Sequence, residues 1–146
     1  MPQNSANKSV EKHQTTSDET VIKVSRCENG QVKTRRSYVN DKQTGIQITY
    51  YCSNGQKQLE TVFINGRANG PYTQWYESGE KWSEGQYKDG KLHGLDTTWY
   101  KNGQKEYEYN YKDGKKHGLY TEWDKNGIIT KKKYYAEGKI LTEKSY

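Results

Sequence analysis

Short runs of this chain alternate between apolar or aromatic and polar side chains, and glycine-containing turns separate the runs. In GLDTTWYK (94–101), Leu95, Thr97 and Trp99 fall on one face of an extended chain, because strand side chains alternate with a period of two. We expect this face to be the drier one. Helical spacing recurs nowhere with comparable consistency, so the pattern predicts an all-β fold.

The same run of positions returns every 24 or 25 residues. Three series of glycines share this spacing: Gly30, Gly55, Gly79, Gly103 and Gly127; Gly66, Gly90, Gly114 and Gly138; and Gly45, Gly70, Gly94 and Gly118. Aromatic side chains form two more columns: Tyr38, Phe63, Tyr87, Tyr111 and Tyr135; and Tyr50, Trp75, Trp99 and Trp123. The chain therefore divides into the units 28–51, 53–76, 77–100, 101–124 and 125–146, with Cys52 as the extra residue.

Each unit is predicted to be a β-hairpin with two turns, because Asn-Gly and Asp-Gly pairs between alternating runs favour the positive φ of tight turns. We expect one tight Asn-Gly turn in each unit and a longer turn around KDGKLHG (88–94). Chained together, the units predict an elongated single-layer antiparallel meander of about ten strands, roughly 50 Å long.

The repeat domain is expected to span 21–146, with a first strand at 21–27 after a flexible polar tail at 1–20. Trp75, Trp99 and Trp123 should stack as one column, with Tyr, Phe or small residues from the strands between them. Gly66, Gly90 and Gly114 should adopt positive φ.

Composition agrees with an extended fold. Apolar residues make up 29% of the chain, with one Phe and one Met against 14 Tyr and 4 Trp, so the core must be thin and aromatic. The same aromatic content argues against disorder. No apolar run has the roughly 18 residues of a membrane span, and residues 1–20 lack the apolar centre of a signal peptide.

The repeated units resemble MORN-type repeats, specifically the bacterial variant with about 24 residues per unit. SGEKWSEGQYKDGKLHGLDTTWY (78–100) is the closest copy, and the resemblance covers about 28–146. The first unit has NDKQTG (40–45) in place of the usual turn, and the last has Thr142 in place of its final glycine and no Trp. The resemblance implies an interaction scaffold, with antitoxin or immunity roles for bacterial members and phospholipid binding or protein assembly for eukaryotic ones.

The Gly-Lys-His turns do not predict catalysis or cofactor binding. They lack the P-loop pattern and a following helix, so hairpin formation explains them better than phosphate binding. His93 and His117 should lie about 10 Å apart, and no third ligand recurs with them, so no metal is expected. No unit carries a nucleophile–base pair or paired carboxylates in a pocket, so we expect no catalytic residue and no enzyme.

Cys27 and Cys52 each precede an Asn-Gly turn and should lie at the same sheet edge. Regular geometry places their Cα atoms near 10 Å, beyond the roughly 7 Å that a disulfide allows. A bulge at the inserted Cys52 would close the gap, so both the bonded and the free state stay open. A bond would favour a periplasmic or secreted protein whose leader has been removed; otherwise the cytoplasm is expected.

A protein partner, such as a toxin or effector, is the leading expectation. Its predicted contacts are tyrosines expected to be exposed opposite the Trp column: Tyr51, Tyr72, Tyr76, Tyr100 and Tyr120. Cross-strand stabilisation explains the same residues equally well. The net charge of +6 looks spread out, and the alternative partner is anionic lipid, through Arg35, Arg36, Lys131, Lys132 and Lys133. Interleaved acidic residues argue against nucleic acid.

Overall fold

The computed structural model describes residues 9–13, as backbone, and 19–146. Their strands are β1 (Ser9–His13), β2 (Thr20–Arg26), β3 (Val32–Val39), β4 (Lys42–Gln43), β5 (Gly45–Tyr50), β6 (Lys57–Ile64), β7 (Arg67–Trp75), β8 (Lys81–Lys88), β9 (Lys91–Leu92), β10 (Gly94–Trp99), β11 (Lys105–Lys112), β12 (Lys115–Lys116), β13 (Gly118–Trp123), β14 (Ile129–Ala136) and β15 (Lys139–Ser145). No helix among these residues has the length and apolar character needed to cross a bilayer.

All strands belong to one antiparallel sheet, in the order β1-β2-β3-β5-β6-β7-β8-β10-β11-β13-β14-β15, with β4, β9 and β12 pairing beside β3, β8 and β11. This order follows the chain, so the predicted single-layer meander is confirmed. The tail prediction is wrong for Ser9–His13, which form β1 against β2. Residues 1–8 and 14–18 of that tail lie outside the described residues.

The prediction of which turn is tight and which is longer is wrong: the turn at Asp89–Gly90 is the tight one, and the turn at Asn102–Gly103 is the wider one. Asp89 and Gly90, with φ of 50° and 80°, make a two-residue turn between Lys88 and Lys91. Asn102 and Gly103 instead lie in a wider loop, where Tyr100 N donates to Gln104 O at 2.9 Å. Only Gly103 has positive φ there, and the Asn102 side chain accepts from Gln104 N, so the wider loop uses the Asn differently.

The turns define the two long edges of the sheet. We call the edge of the two-residue turns the tight-turn edge; it contains Asn40–Asp41, Asn65–Gly66, Asp89–Gly90, Asp113–Gly114 and Glu137–Gly138. The wide-turn edge contains Gly30, Gly55, Gly79, Gly103 and Gly127. Gly66, Gly90 and Gly114 have φ of 82°, 80° and 83°, which confirms that prediction.

The register also defines two faces. The Trp face carries Trp75, Trp99 and Trp123, and the Tyr face carries Tyr87, Tyr111 and Tyr135. The expectation that the Trp face is drier is wrong. Leu95 and Leu119 on it are 49% and 46% exposed, whereas Tyr72 and Tyr120 on the Tyr face are buried. Thr97 and Thr121 on the Trp face are buried too, so both faces have buried positions and the Trp face is not the drier one.

Candidate binding surfaces

Tyrosine hydroxyls join successive units at the wide-turn edge. Tyr51 donates to Trp75 O at 2.8 Å, and Tyr76 donates to Trp99 O at 2.7 Å. Tyr100 repeats the contact with Trp123 O at 3.0 Å. Each side chain is half-buried. These three tyrosines, which we predicted to contact a partner, therefore use their hydroxyls to bind the next unit of the sheet.

A disulfide joins the first two units at the same edge. Cys27 N donates to Gln31 O, as Tyr76 N donates to Glu80 O, so Cys27 takes the place of the tyrosine. Its partner is Cys52, with the two Cα atoms 5.8 Å apart. Tyr51 N reaches Gln56 O, one residue further than in the other turns, so Cys52 is the inserted residue. The insertion brings together cysteines that a regular sheet would keep apart.

Backbone hydrogen bonds join the units at the tight-turn edge. Gly90 N donates to Ala68 O at 2.7 Å, and Gly114 N donates to Leu92 O at 2.8 Å. Gly66 and Gly138 donate in the same way to Gln43 O and Lys116 O. Each turn is therefore fixed to the unit before it, which makes this edge continuous.

The Trp face carries a ladder in which lysines alternate with tryptophans. Lys81 is opposite Trp75 in the register, and its Nζ lies 5.2 Å from the centre of the Trp99 ring. Lys57 and Lys105 lie over Trp75 and Trp123 at 5.7 and 5.5 Å. Lysine stems therefore separate the Trp rings, where we expected Tyr, Phe or small residues. The bulges beside Trp75 and Trp99 place a lysine opposite each of them, whereas Ile129 lies opposite Trp123.

These lysines are also paired with acids, so the ladder is close to neutral. Lys57 and Lys81 bind Glu60 and Glu84 at 2.6 Å, and Lys105 binds Glu108 at 2.5 Å. The pairs are exposed, and such pairs contribute little stability, roughly 0–1 kcal/mol each. The ladder fixes the side chains along the Trp face without giving that face a net charge.

Beside the ladder runs a row of exposed apolar side chains. Ile46, Leu95 and Leu119 are 51%, 49% and 46% exposed, and they occupy equivalent positions after the third glycine of their units. Exposed Pro71 fills the fourth equivalent position, and Tyr134, opposite Leu119 in the register, extends the row. We call these five residues the apolar row; it spans seven strand spacings, or about 34 Å.

The Tyr face is covered by its own rings. Gly85 makes room for the buried Tyr72, because a Cβ there would lie 2.8 Å from the Tyr72 ring and from Asp96 Oδ2. Tyr72 donates to Asp96, and burial raises the pKa of that carboxyl although the Tyr72 hydrogen bond opposes the shift. Burial likewise raises the pKa of Tyr111 to about 12.

Further along, Tyr120 is 4.4 Å from Tyr109, ring centre to ring centre, and it donates to Glu122 at 2.8 Å. Tyr72 and Tyr120 are therefore buried, and our expectation that they are exposed for a partner is wrong. Both point to the face where neighbouring tyrosines enclose them. Sequence reasoning missed the apolar row, although its positions have the same 24-residue spacing as the glycines.

The basic residues suggested for lipid contact form two separate groups. Arg35 and Arg36 lie on β3, eight strand positions from β14, or about 38 Å. Lys131 and Lys133 on β14 lie 3.8 and 3.5 Å from Glu143, and Lys132 points to the other face. Strand alternation divides each basic run between the faces, so neither run is one patch.

The two repeat histidines share a shallow cleft with Tyr111. Nδ1 of each is buried without a hydrogen-bond partner among the described residues, and His93 Nδ1 is 3.7 Å from Asp113 Oδ1. Within the described part of the chain, no three His, Cys, Asp or Glu residues group as a metal site would require. The cleft therefore offers two nitrogens and no third ligand.

Three segments match the sequence profile of the MORN repeat variant: residues 68–89, 92–113 and 116–135. No curated protein matches the chain. A solved structure titled "Crystal Structure of TarM" superposes with a TM-score of 0.42 at 14% identity, over 67% of this chain. This chain spans only 19% of that one, and the likeness carries no argument about function. The part of the chain from 68 to 135 is therefore similar to three successive repeats of the MORN repeat variant.

Proposed function

We propose that this chain is a non-enzymatic module that binds a protein partner through the Trp face. The apolar row supports this best. Five apolar side chains are presented in a line on an open sheet, and hydrogen bonds between units hold that sheet in place. Gln86 lies opposite Pro71 and Asn110 lies opposite Leu95 in the register, so polar side chains separate members of the row, which recur at the spacing of the units. A regular series of exposed apolar side chains on a rigid surface suits contact with a protein partner, whereas scattered ones need no explanation.

The more specific role that we propose is an antitoxin or immunity-type protein that occludes a partner toxin or effector. The resemblance to bacterial MORN-variant repeats supports this role. The form of the Trp face is consistent with it, because occlusion needs a broad, preorganised surface and no reaction chemistry.

The test is co-purification of the tagged chain from its native host at native expression level. We expect one stoichiometric protein partner, and Leu95→Arg should weaken its binding about tenfold or more, since a charge would face the centre of the contact. Ile128→Arg is the matched control, because Ile128 is 63% exposed but lies in a wide turn away from the apolar row. Recovery of lipid alone, or of no partner, would contradict the proposal.

Binding of anionic phospholipid is the second candidate, and it would have to use the two separated basic groups on β3 and β14. Basic residues near an anionic leaflet contribute on the order of 1 kcal/mol each. Sedimentation with vesicles that contain or lack anionic lipid distinguishes the candidates. Salt-sensitive binding to the anionic vesicles alone would favour lipid over protein.

A further inference from the structure

Basic side chains are concentrated on the tight-turn edge. Every unit places one directly after its turn, and all of these are exposed: Lys42, Arg67, Lys91, Lys115 and Lys139. Lys88 and Lys112 precede two of the turns and are exposed as well. Equivalent positions lie two strands apart, so the edge presents a cation about every 10 Å.

Three of the four acidic residues in the turns of this edge are used within the sheet. Asp89 accepts from Asn69 at 3.3 Å, Asp113 lies 3.7 Å from His93, and Glu137 lies 3.2 Å from Lys115. In each pair the acid belongs to one unit and its partner to the unit before. Six basic residues have no ion pair among residues 19–146: Lys42, Arg67, Lys88, Lys91, Lys112 and Lys139.

The wide-turn edge differs in how its cations are paired. Its turns carry both signs of charge, Glu28, Glu77, Glu80 and Asp124 with Lys101 and Lys125. The lysines that follow three of these turns are bound to acids, in the pairs Lys57–Glu60, Lys81–Glu84 and Lys105–Glu108. The tight-turn edge therefore has more cations without an acidic partner than the wide-turn edge, among residues 19–146.

Backbone hydrogen bonds between units hold the turns that carry these basic side chains in place. The glycine of each later turn donates a backbone hydrogen bond to the unit before it. The stem of Lys91 lies along the next turn, with its Cβ 3.5 Å from where a Cβ on Gly114 would be. Charges held in place in this way lose less freedom on binding than charges on a mobile loop.

We propose that the tight-turn edge binds an acidic surface of the protein partner, and that this surface carries carboxylates about 10 Å apart. The inference rests on the proposed function and names the charge of the partner. A continuous polyanion is disfavoured because acidic residues lie between the cations. Closely spaced phosphates or carboxylates would be repelled by Asp89, Asp113 and Glu137 while they are attracted by the lysines. Separate carboxylates at the spacing of the units meet only the cations.

The test uses two labelled helical peptides with equal numbers of glutamates. One has glutamate at every seventh position, about 10.5 Å apart, and the other has its glutamates in one block. Fluorescence anisotropy at low salt should show the spaced peptide binding about fivefold more tightly, with affinity falling as salt rises. Arg67→Glu with Lys91→Glu should weaken this binding about tenfold.

Lys33→Glu with Lys125→Glu is the matched control, since it changes the net charge equally at exposed positions away from this edge. The control should bind the spaced peptide within about twofold of the unmodified chain. An equal loss in the control would show that net charge alone attracts the peptide. Equal or tighter binding of the block peptide, or of duplex DNA, would also overturn the proposal.

The same variants separate this inference from the proposed function. If the edge variant retains the host partner while Leu95→Arg loses it, the acidic docking fails and the protein-binding function stands. If the unmodified chain recovers no partner but prefers the spaced peptide, the function fails and the charge preference of the edge stands.

Discussion

The junction between the first two units and the junctions after it hold the sheet together at the same place with different bonds. Cys27 stands where Tyr51, Tyr76 and Tyr100 stand in later units, and a covalent bond to Cys52 replaces the hydroxyl-to-carbonyl contact. The disulfide is the stronger constraint, but it depends on redox conditions, whereas the hydrogen bonds do not. One end of the sheet therefore responds to the environment differently from the rest.

The largest effect is expected from breaking the first junction. Cys27→Ser with Cys52→Ser opens a loop with a sequence separation of 25, which should lower the free energy of unfolding by about 3–4 kcal/mol. Because units contact mainly their neighbours, hydrogen exchange should accelerate in β2, β3 and β5 and stay slow beyond β8. Faster exchange through the whole chain would show that the units do not fold independently.

The tight-turn edge of an inner junction is the next target. Gly90→Val forces a β-branched residue to φ near 80°, at about 1–2 kcal/mol or more, and disturbs the bond from Gly90 N to Ala68 O. Exchange should quicken first in the hairpin at 82–98. Gly90→Asn is the control, since Asn tolerates positive φ. A uniform change across all units would mean that the chain has one shared core.

Removing one tyrosine hydroxyl should have a smaller effect. Tyr76→Phe deletes the donor to Trp99 O and should cost about 0.5–1.5 kcal/mol in denaturant unfolding. Tyr146→Phe is the control, because Tyr146 is 64% exposed and its hydroxyl has no partner among the described residues. If both variants lose the same stability, the hydroxyl contacts do not hold the junctions together.

Alkaline pH should weaken the inner junctions together with the buried rings of the Tyr face, with no effect below about pH 10. Burial raises the pKa of Tyr76 and of Tyr100 above their ordinary value. Their stabilising effect is therefore complete below the pKa of the unfolded chain and is lost as pH rises through the higher folded pKa. Tyrosinate absorbance followed together with circular dichroism should show a late phase of ionisation coupled to unfolding; the absence of such a late phase would contradict this.

The repeat spacing was enough to predict the sheet, because glycines at turns and aromatics at strand ends are local requirements that recur in every unit. The side-chain neighbours were harder to predict. The lysines between Trp75, Trp99 and Trp123 depend on the bulge beside each Trp, and a bulge shifts the register by one residue without a sequence signal of its own.

Burial was also hard to predict from residue type. Leu95 is more apolar than Tyr72, yet it is the more exposed of the two, because Gly85 on the next strand gives the Tyr72 ring a place to lie. The sequence also left open whether the disulfide forms, since the conformation of a single inserted residue decides whether Cys27 and Cys52 come close enough to bond. Each of these outcomes depends on contacts between strands, which no single unit contains.

The backbone bonds from one tight turn to the unit before it also bear on how such a chain could change in evolution. Gly66, Gly90, Gly114 and Gly138 all make the same bond, so every unit offers the acceptor that its successor needs. A tandem duplication of one whole repeat in the gene would preserve every such bond and lengthen both edges by one step. An insertion of a few codons within a strand would shift its register and break the bonds on both sides. Genetic variation in this array should therefore accumulate as changes in the number of repeats, with smaller insertions confined to wide turns such as the one that contains Cys52.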